Sequence, residues 1–200
     1  MSKKIKLVIF DAYGVTLNEG YPNTMKFLAK KYDKDKDYLY KIFYTKYLNL
    51  AANRKITQKQ AWIQSVKETN LPIDYKEVKK IHYSLMKKNA KVIKLADEIG
   101  KETNTLLLSK NTRSQLFEVN HILDFKKHFK NVINTWELGI PKASKETCEF
   151  LLKRFKVKPE EVIYIDDQES NLTDAKKIGI KTIFYQNFEQ FKKDFYKIYK

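Results

Sequence analysis

The feature that most constrains this chain is a set of short, almost wholly apolar segments that stop abruptly at polar residues. Three of them end at Asp11, at Ser109 and at the pair Asp166-Asp167. The apolar segments lie at 5–10, 105–108, 162–165 and 181–184, with a weaker one at 131–133. Continuous runs of this length are typical of strands buried on both faces of a parallel sheet. From 105 onward they alternate with helical patterns, which predicts an α/β fold with a parallel sheet.

Helical patterns fill the rest of the chain. Behind a Ser144 N-cap, apolar residues recur at helical spacing from Cys148 to Phe155, and similar stripes cover 172–178 and 188–198. Between 17 and 92 no strand pattern occurs, and helices are predicted at 25–32, 38–48, 57–67 and 75–88. We therefore predict an α/β core over 1–17 and 93–200, interrupted after its first strand by an all-helical insertion over 18–92.

Composition narrows the remaining classes of protein. The 200 residues suit one domain with an insertion, and the single cysteine excludes a disulfide framework. No apolar run suits a transmembrane helix or a signal peptide, so we expect a cytoplasmic protein with no membrane partner. The net charge of +16 comes from lysines spread along the chain and very few arginines. We therefore expect an anionic small-molecule substrate and no specific nucleic-acid partner, while the oligomeric state stays open.

The polar residues at the strand ends carry the candidate chemistry. Ligands bind at the carboxyl ends of strands in open parallel sheets, so Asp11, Ser109 and Asp166-Asp167 converge if their strands are neighbours. Carboxylates crowded in a cleft repel one another, and a hard divalent cation such as Mg²⁺ would compensate. The alternative is that these aspartates merely cap the helices that follow.

Four segments, in order along the chain, resemble the motifs of the haloacid-dehalogenase-like (HAD) superfamily of hydrolases. Residues 8–16, which contain the sequence DAYG, resemble the first motif. Residues 106–109 are similar to the second motif, 139–142 to the third, and 162–167 with Asn171, Ala175 and Gly179 to the fourth. The resemblance implies hydrolase activity and a Rossmann-like core with a small all-helical cap in the place of the insertion.

The resemblance also implies a metal site at the matching positions. Asp11 would be both the nucleophile and a ligand of Mg²⁺, and the backbone carbonyl of Tyr13 would be a second ligand. Of Asp166 and Asp167, one would bind the metal directly and the other through water.

Three further residues would serve the substrate. Ser109 would hydrogen-bond the transferring group, and Lys142 would neutralise the nucleophile and the substrate anion. Lys110 could reach a phosphate, although a solvated lysine suits its position equally well. A lysine among three aspartates would also lower the pKa of Asp11 and keep it ionised.

The acid–base position departs from the phosphatase pattern. Phosphatases of the family carry a second aspartate there, which protonates the leaving group and then activates water, whereas this chain has Tyr13. A phenol with a pKa of about 10 is not a base at neutral pH, and the loss of an acid–base group costs about 10²–10⁴ in rate. Tyrosine here is similar to the haloacid dehalogenases of the family, whose halide leaves without protonation.

Other positions oppose the dehalogenase interpretation. The dehalogenases have Thr where this chain has Val15 and Asn where it has Lys110. They also place an arginine in the cap, which Arg54 does not clearly match. The third motif usually reads Lys-Pro, whereas Ala143 follows the lysine here. The paired aspartates of the fourth motif are, in contrast, the metal-binding phosphatase form.

Three functions therefore stay open. The first is Mg²⁺-dependent, phosphatase-like hydrolysis of a small phosphorylated metabolite with a good leaving group. The second is hydrolysis of 2-haloacids through an ester on Asp11. The third is a HAD-fold protein of impaired catalysis that binds a ligand or regulates a partner. In each case cap aromatics such as Tyr40, Phe43 and Tyr44 are candidates for closing over the bound molecule.

Two smaller patterns are better explained by structure than by chemistry. His82 lies on an apolar helix face, which favours a packing role. His121, Asp124 and His128 could share a helix face as a metal set, but the lysines around them favour a surface helix.

Overall fold

Five parallel strands form the centre of the protein in a computed structural model that describes residues 4–199. In chain order they are β1 (Leu7–Asp11), β2 (Asn104–Ser109), β3 (Asn131–Asn134), β4 (Val162–Asp166) and β5 (Lys181–Phe184). Their spatial order is β3-β2-β1-β4-β5, and each neighbouring pair is parallel. The predicted α/β fold is confirmed, including the weak strand that begins at Asn131.

Twelve α-helices lie within residues 4–199. They are α1 (Gly20–Tyr32), α2 (Lys36–Tyr40), α3 (Asn49–Ala52), α4 (Gln58–Thr69), α5 (Tyr75–Ser84), α6 (Ala90–Gly100), α7 (Gln115–Glu118), α8 (Phe125–His128), α9 (Thr135–Leu138), α10 (Lys145–Phe155), α11 (Glu169–Lys177) and α12 (Phe188–Ile198). A π-helix, Lys41–Leu48, joins α2 to α3, and a 3₁₀-helix, Pro159–Glu161, precedes β4. None of these helices combines the length and apolar character that crossing a bilayer requires.

Both faces of the sheet are buried, which explains the continuous apolar runs. Val8 and Phe10 of β1 belong to one hydrophobic cluster, and Leu7 and Ile9 belong to another, because successive side chains of a strand alternate between faces. Residues of α6 and α12 complete the first cluster, and residues of α10 and α11 complete the second. Cys148 lies in the second cluster as a buried packing residue, as its spacing predicts.

The helices between β1 and α6 pack around a hydrophobic cluster of their own. It includes Met25, Leu28, Phe43, Trp62 and Val78, all of which are buried. We call the helices α1 to α5, with the π-helix, the helical unit. The all-helical character of the insertion agrees with the sequence, while its division from the core at 17/18 and 92/93 stays a prediction.

Three helices of the helical unit differ from their predicted bounds. The helix predicted over 38–48 is α2 followed by the π-helix. The helix predicted to begin at 25 begins at Gly20. The helix predicted over 75–88 ends at Ser84, because the chain then returns to the core. There, the Lys87 amide donates to Asn18 Oδ1 at 2.9 Å, and Lys88 pairs with Leu17 in an antiparallel bridge.

The side chains of the suggested histidine set are separated in the structure. α8 contains only Phe125–His128, so His121 lies outside it, and Asp124 is its N-cap residue. His128 Nδ1 lies 3.0 Å from Asp97 Oδ1 instead. These residues form no metal-ligand group within residues 4–199.

Candidate active site

Three strand ends bring the predicted polar residues to one edge of the sheet. Asp11 ends β1, Ser109 ends β2 and Asp166 ends β4, and β1 lies between the other two strands. Asp11, Asp166 and Asp167 each offer a carboxylate oxygen, and these oxygens lie within 4.8 Å of one another. Acidic residues from opposite ends of the chain thus form one cluster, as expected for a parallel sheet.

Lys142 lies among these carboxylates. Its side chain is only 4% exposed, and its Nζ donates to Asp11 Oδ1 and, at 2.7 Å, to Asp166 Oδ2. The turn that carries it is held to the start of α10, because Ser144 Oγ and Thr147 Oγ1 both donate to the Pro141 carbonyl, at 2.9 and 2.7 Å. The ammonium group is therefore positioned by the backbone as well as by its charged partners.

The two adjacent aspartates have different surroundings. Asp166 is fully buried and accepts hydrogen bonds on both oxygens. Its donors are Lys142 Nζ at 2.7 Å, Tyr164 Oη at 3.1 Å, and the Gln168 amide and Asn171 Nδ2, each at 2.9 Å. Asp167 is partly buried, and its Oδ1 has no partner within residues 4–199. Asp167 is therefore the freer of the two carboxylates for binding a ligand.

Gly14 allows Asp167 to approach the loop that follows β1. Its φ is +89°, and a Cβ at this position would lie 2.0 Å from Asp167 Oδ2. Any L-residue with a side chain would be strained there and would collide with the carboxylate. The positive φ and the close contact with Asp167 thus explain why position 14 of the DAYG segment is a glycine.

The cluster is short of positive charge. Three carboxylates share one ammonium group, so two negative charges are uncompensated when all three are ionised. Burial raises the pKa of Asp11 well above its usual value; Lys142 opposes this, and Asp166 and Asp167 add to it. Lys142 lowers the pKa of Asp11, as expected, but the desolvation of the buried carboxylate outweighs this effect.

The pKa values of Asp167 and Lys142 are both raised, but burial has opposite effects on the two groups. Burial and the neighbouring Asp166 raise the pKa of Asp167 to about 6. Burial disfavours the charged form of Lys142, but Asp11 and Asp166 raise the pKa of its ammonium group well above the usual value. The ammonium group of Lys142 therefore stays charged, and a divalent cation would further stabilise the carboxylates of the cluster.

On the other side of Asp11, buried polar atoms lack partners. Ser109 Oγ, Tyr13 Oη, Asn111 Nδ2 and Gln115 Oε1 form no hydrogen bond within residues 4–199. Burial raises the pKa of Tyr13 well above its usual value, although the nearby Asn111 and Gln115 lower it somewhat, so Tyr13 stays a neutral phenol. A buried polar atom without a partner is costly, which indicates that a ligand or water supplies one.

Gln115 is a candidate site residue that the sequence analysis missed, whereas the position of Asn111, two residues after Ser109, makes it a candidate for reaching a phosphate, like Lys110. Both are 2% exposed, and both lie in the segment that follows β2. The only available signal was the presence of amide side chains shortly after Ser109. Nothing in the local pattern indicated that they would be buried next to Tyr13.

Lys110 links the core to the helical unit. Its Nζ donates to Asn49 Oδ1 at 3.0 Å and lies 5.3 Å from the centre of the Tyr44 ring. Burial, with the positive charge of Lys142, lowers the pKa of Lys110. The residue therefore faces the site, where an anion would relieve its desolvation.

A cavity of about 240 Å³, the strand-end cavity, opens beside these groups. Asp11, Tyr13 and Lys142 line it from the core, and Tyr40 and Tyr44 line it from the helical unit. The rings of these two tyrosines stack with centroids 4.9 Å apart, one at the end of α2 and the other in the π-helix, a type of turn frequent at functional sites.

One of the three suggested cap aromatics does not face this cavity. Phe43 is 2% exposed and packs against Trp62, with ring centroids 6.1 Å apart. It stabilises the interior of the helical unit, whereas Tyr40 and Tyr44 close the strand-end cavity.

Arg54 lies outside the strand-end cavity. Its guanidinium group donates to the carbonyls of Trp136, from Nε at 2.8 Å, and Glu137, at 3.0 Å, and lies over the Trp136 ring at 4.7 Å. The cationic residues that line the cavity are Lys110 and Lys142. The cavity therefore has no arginine of the kind that the dehalogenases place in their cap.

Comparison with known protein sequences points to one family. The family model of haloacid dehalogenase-like hydrolases matches residues 5–179. Bifunctional epoxide hydrolase 2 of Mus musculus is 33% identical over 85 residues, and that of Rattus norvegicus is 31% identical over 85 residues. The matched stretch is 42% of this chain but only 15% of each of these proteins, so the likeness extends to a small part of them.

Solved structures share the fold at low sequence identity. A HAD family enzyme from Bacteroides thetaiotaomicron, in complex with magnesium, has a TM-score of 0.72 and 18% identity over 92% of this chain and 94% of that chain. The L-2-haloacid dehalogenase from Xanthobacter autotrophicus, with chloropropionic acid covalently bound, has a TM-score of 0.67 and 15% identity over 96% and 83%. These likenesses show the fold, and the chemistry has to be argued from the residues of the site.

Proposed function

The chain belongs to the haloacid dehalogenase-like hydrolases, and from that premise we propose that it is a Mg²⁺-dependent phosphatase that acts on a small phosphorylated metabolite with a good leaving group. The proposal depends on the cluster of Asp11, Asp166 and Asp167, whose oxygens lie within 4.8 Å of one another. When all three are ionised, their negative charge exceeds the positive charge of Lys142 by two, which matches one divalent cation. Attack of Asp11 on a carbon–halogen bond, in contrast, needs no metal.

The residues of the cluster fit Mg²⁺, which prefers oxygen ligands and needs only one or two carboxylates. Asp11 and Asp167 would hold the ion, Asp167 through the oxygen that lacks a partner, with the Tyr13 carbonyl as a further ligand. Asp166, hydrogen-bonded on both oxygens, would support them from behind. When bound, Mg²⁺ neutralises the phosphoryl oxygens and draws the substrate toward the nucleophile.

Asp11 is the nucleophile of the proposed reaction. One of its carboxylate oxygens forms a bond to phosphorus, and the bond from phosphorus to the leaving oxygen breaks with its electron pair. Lys142 orients Asp11 through its hydrogen bond, and Ser109 Oγ donates to a phosphoryl oxygen. Water then adds to the phosphorus, the carboxylate of Asp11 is released, and the protons of that water leave with the inorganic phosphate.

Tyr13 restricts the leaving group. Because burial raises its pKa, the phenol can donate a hydrogen bond but cannot accept a proton from water at neutral pH. Aryl and acyl phosphates release anions that are stable without protonation, whereas an alkyl phosphate would release an alkoxide. We therefore expect alkyl phosphates to be poor substrates and the phosphorylated Asp11 to hydrolyse slowly.

The test is turnover of an activated aryl phosphate, p-nitrophenyl phosphate, with Mg²⁺ and with EDTA. We expect turnover only with Mg²⁺, and turnover of glycerol phosphate at least about 10²-fold lower. Asp11→Asn should abolish the activity, while Asp174→Asn, a carboxylate on α11 that pairs with Lys177 at 3.0 Å, should retain it. Activity that survives either EDTA or Asp11→Asn contradicts the proposal.

Hydrolysis of 2-haloacids is a second candidate, favoured by Tyr13 alone. In that reaction an oxygen of Asp11 bonds to carbon, the carbon–halogen bond breaks, and halide leaves with its electron pair. Arg54 is hydrogen-bonded to backbone carbonyls outside the strand-end cavity, and this disfavours the hydrolysis of 2-haloacids. Halide release from 2-chloropropionate in EDTA would replace our proposal, and stabilisation by ligands without any turnover would indicate a binding protein.

A further inference from the structure

A second cleft, larger than the strand-end cavity, lies between the helical unit and the core. Its volume is about 900 Å³, at the upper end of the range for small-molecule sites. Residues of α4 and α5 line it on one side, and Thr112, Arg113 and Trp136 line it on the other. None of its lining residues also lines the strand-end cavity.

The lining of this cleft, which we call the basic cleft, is strongly cationic. It contains five lysines and two arginines. Lys55, Lys59, Lys76 and Lys80 form no ion pair with any of residues 4–199. Four cationic groups that face one concave surface without a protein anion favour an anionic ligand.

The single acidic residue of the lining is already neutralised. Glu118 accepts hydrogen bonds from Lys79 Nζ at 2.6 Å, from Gln58 Nε2 at 3.1 Å and from Tyr83 Oη. Lys79, Gln58 and Tyr83 belong to the helical unit and Glu118 to the core, so this network joins the two walls. It leaves the charge of the other lysines uncompensated.

An aromatic platform stands in the same cleft. The guanidinium carbons of Arg54 and Arg113 lie 4.7 and 5.8 Å from the centre of the Trp136 ring. Indole and guanidinium planes are good stacking surfaces for a planar ring.

Two buried polar atoms in the lining residues have no partner. Trp62 Nε1 and Thr112 Oγ1 form no hydrogen bond within residues 4–199, and both residues are 2% exposed. Buried donors of this kind normally find a partner, which here is water or a bound molecule.

We infer that the basic cleft binds a small polyphosphorylated anion that carries an aromatic ring, the chemistry of a nucleoside triphosphate. The unpaired lysines bind the phosphates, and the guanidinium planes that lie over Trp136 stack on the ring. A concave site of this volume suits a small molecule better than an extended nucleic-acid strand.

Tryptophan fluorescence provides a direct readout, because both tryptophans of the chain, Trp62 and Trp136, line this cleft. The whole chain is titrated with ATP in EDTA, which keeps divalent metal from the Asp11 cluster. We expect a saturable change in fluorescence, with weaker binding of adenosine and of inorganic tripolyphosphate.

Matched double variants localise the binding. Lys76→Gln with Lys80→Gln should weaken ATP binding about tenfold, since two phosphate contacts are lost. Lys192→Gln with Lys193→Gln, which removes two exposed lysines of α12, should leave it unchanged. Lys110→Gln, in the strand-end cavity, should also leave it unchanged. Turnover of p-nitrophenyl phosphate should be the same in the Lys76/Lys80 variant as in the unaltered protein.

Several outcomes would overturn the inference. One is the absence of a saturable fluorescence change with ATP. Another is an equal loss of ATP affinity in the Lys76/Lys80 and Lys192/Lys193 variants. A third is a loss of ATP affinity in Lys110→Gln but not in the Lys76/Lys80 variant. If adenosine binds as tightly as ATP, the cleft does not recognise the phosphates. If tripolyphosphate binds as tightly as ATP, the cleft does not recognise the ring. Tighter binding of a single-stranded oligonucleotide would make the cleft part of a nucleic-acid surface. Because the titration uses EDTA, its result is independent of whether the chain is a phosphatase.

Discussion

The two sides of the strand-end cavity differ in how their polar groups are satisfied. On the carboxylate side, both oxygens of Asp166 are hydrogen-bonded and Lys142 bridges two aspartates. On the Tyr13 side, Asn111 and Gln115 also carry buried atoms that have no partner within residues 4–199. Apart from Asp167 Oδ1, the protein thus pre-organises the carboxylate side by itself, whereas the Tyr13 side is completed by whatever enters the cavity.

The same division separates the family resemblances. The matches to the phosphatase pattern, Asp11 and the paired aspartates, lie on the carboxylate side. The departure from that pattern, Tyr13, lies on the other side. Under our proposal, the reaction is set by the first side and the choice of leaving group by the second.

The largest expected effect concerns the free oxygen of the carboxylate side. We expect Asp167→Asn to lower Mg²⁺-dependent turnover of p-nitrophenyl phosphate by about 10³-fold, because a metal ligand worth several kcal/mol is lost. Asp174→Asn is the matched control. If Asp167→Asn retains full activity at the same Mg²⁺ concentration, the assignment of the carboxylate side is wrong.

His82, which lies behind Tyr21 in the wall of the cavity, allows a test of how the free energy of unfolding depends on pH. Tyr21, which lines the cavity, packs on His82 at 4.5 Å between ring centroids, and burial lowers the pKa of His82 to about 3. The unfolded chain binds this proton as the pH falls below about 6.5, and the native chain does not. The stability is therefore complete above that pH and is lost as the pH falls toward 3, by on the order of 4 kcal/mol.

Urea unfolding at several pH values between 4 and 7 measures this loss. His82→Asn cannot titrate, and its amide can still donate toward Thr24 Oγ1, which lies 2.8 Å from His82 Nδ1. The variant should be less stable at pH 7 and should show a smaller dependence on pH. If the free energy of unfolding depends equally on pH in both proteins, His82 is not the source of the pH dependence.

A substitution at position 13 tests the Tyr13 side directly. Tyr13→Asp introduces the missing acid–base group, and we expect turnover of glycerol phosphate to rise by about 10²-fold relative to p-nitrophenyl phosphate. Tyr13→Phe, which has no acid–base group, should not change that ratio. An unchanged ratio in Tyr13→Asp would show that leaving-group protonation is not what limits the alkyl substrate.

The smallest effect compares one amide from each side. Asn171→Ala removes a donor to Asp166, and we expect it to raise the Mg²⁺ concentration for half-maximal activity by about tenfold. Gln115→Ala should raise KM for the substrate and leave the Mg²⁺ dependence unchanged. If both variants alter the Mg²⁺ dependence equally, the two sides are not distinct.

Much of the frame of this site could be predicted from local patterns. The apolar runs are long enough to need burial on both faces, which favours parallel strands, and parallel strands bring Asp11, Ser109 and Asp166 to one edge. The start of α1 at Gly20 could not be predicted, because Gly and Pro22 are poor helix formers. Thr24 Oγ1 donates to the Gly20 carbonyl at 2.8 Å and contacts His82, and these contacts stabilise the first turn.

The sequence by itself determined the order of strands and helices, the parallel sheet and the acidic residues at its edge. Only the tertiary structure decided that Asp167 keeps a free oxygen, that Tyr44 rather than Phe43 faces the cavity, and that Arg54 lies in the basic cleft. Periodicity along the chain encodes which face of an element is apolar. The partners of a buried polar group come from distant segments, and no local pattern records them.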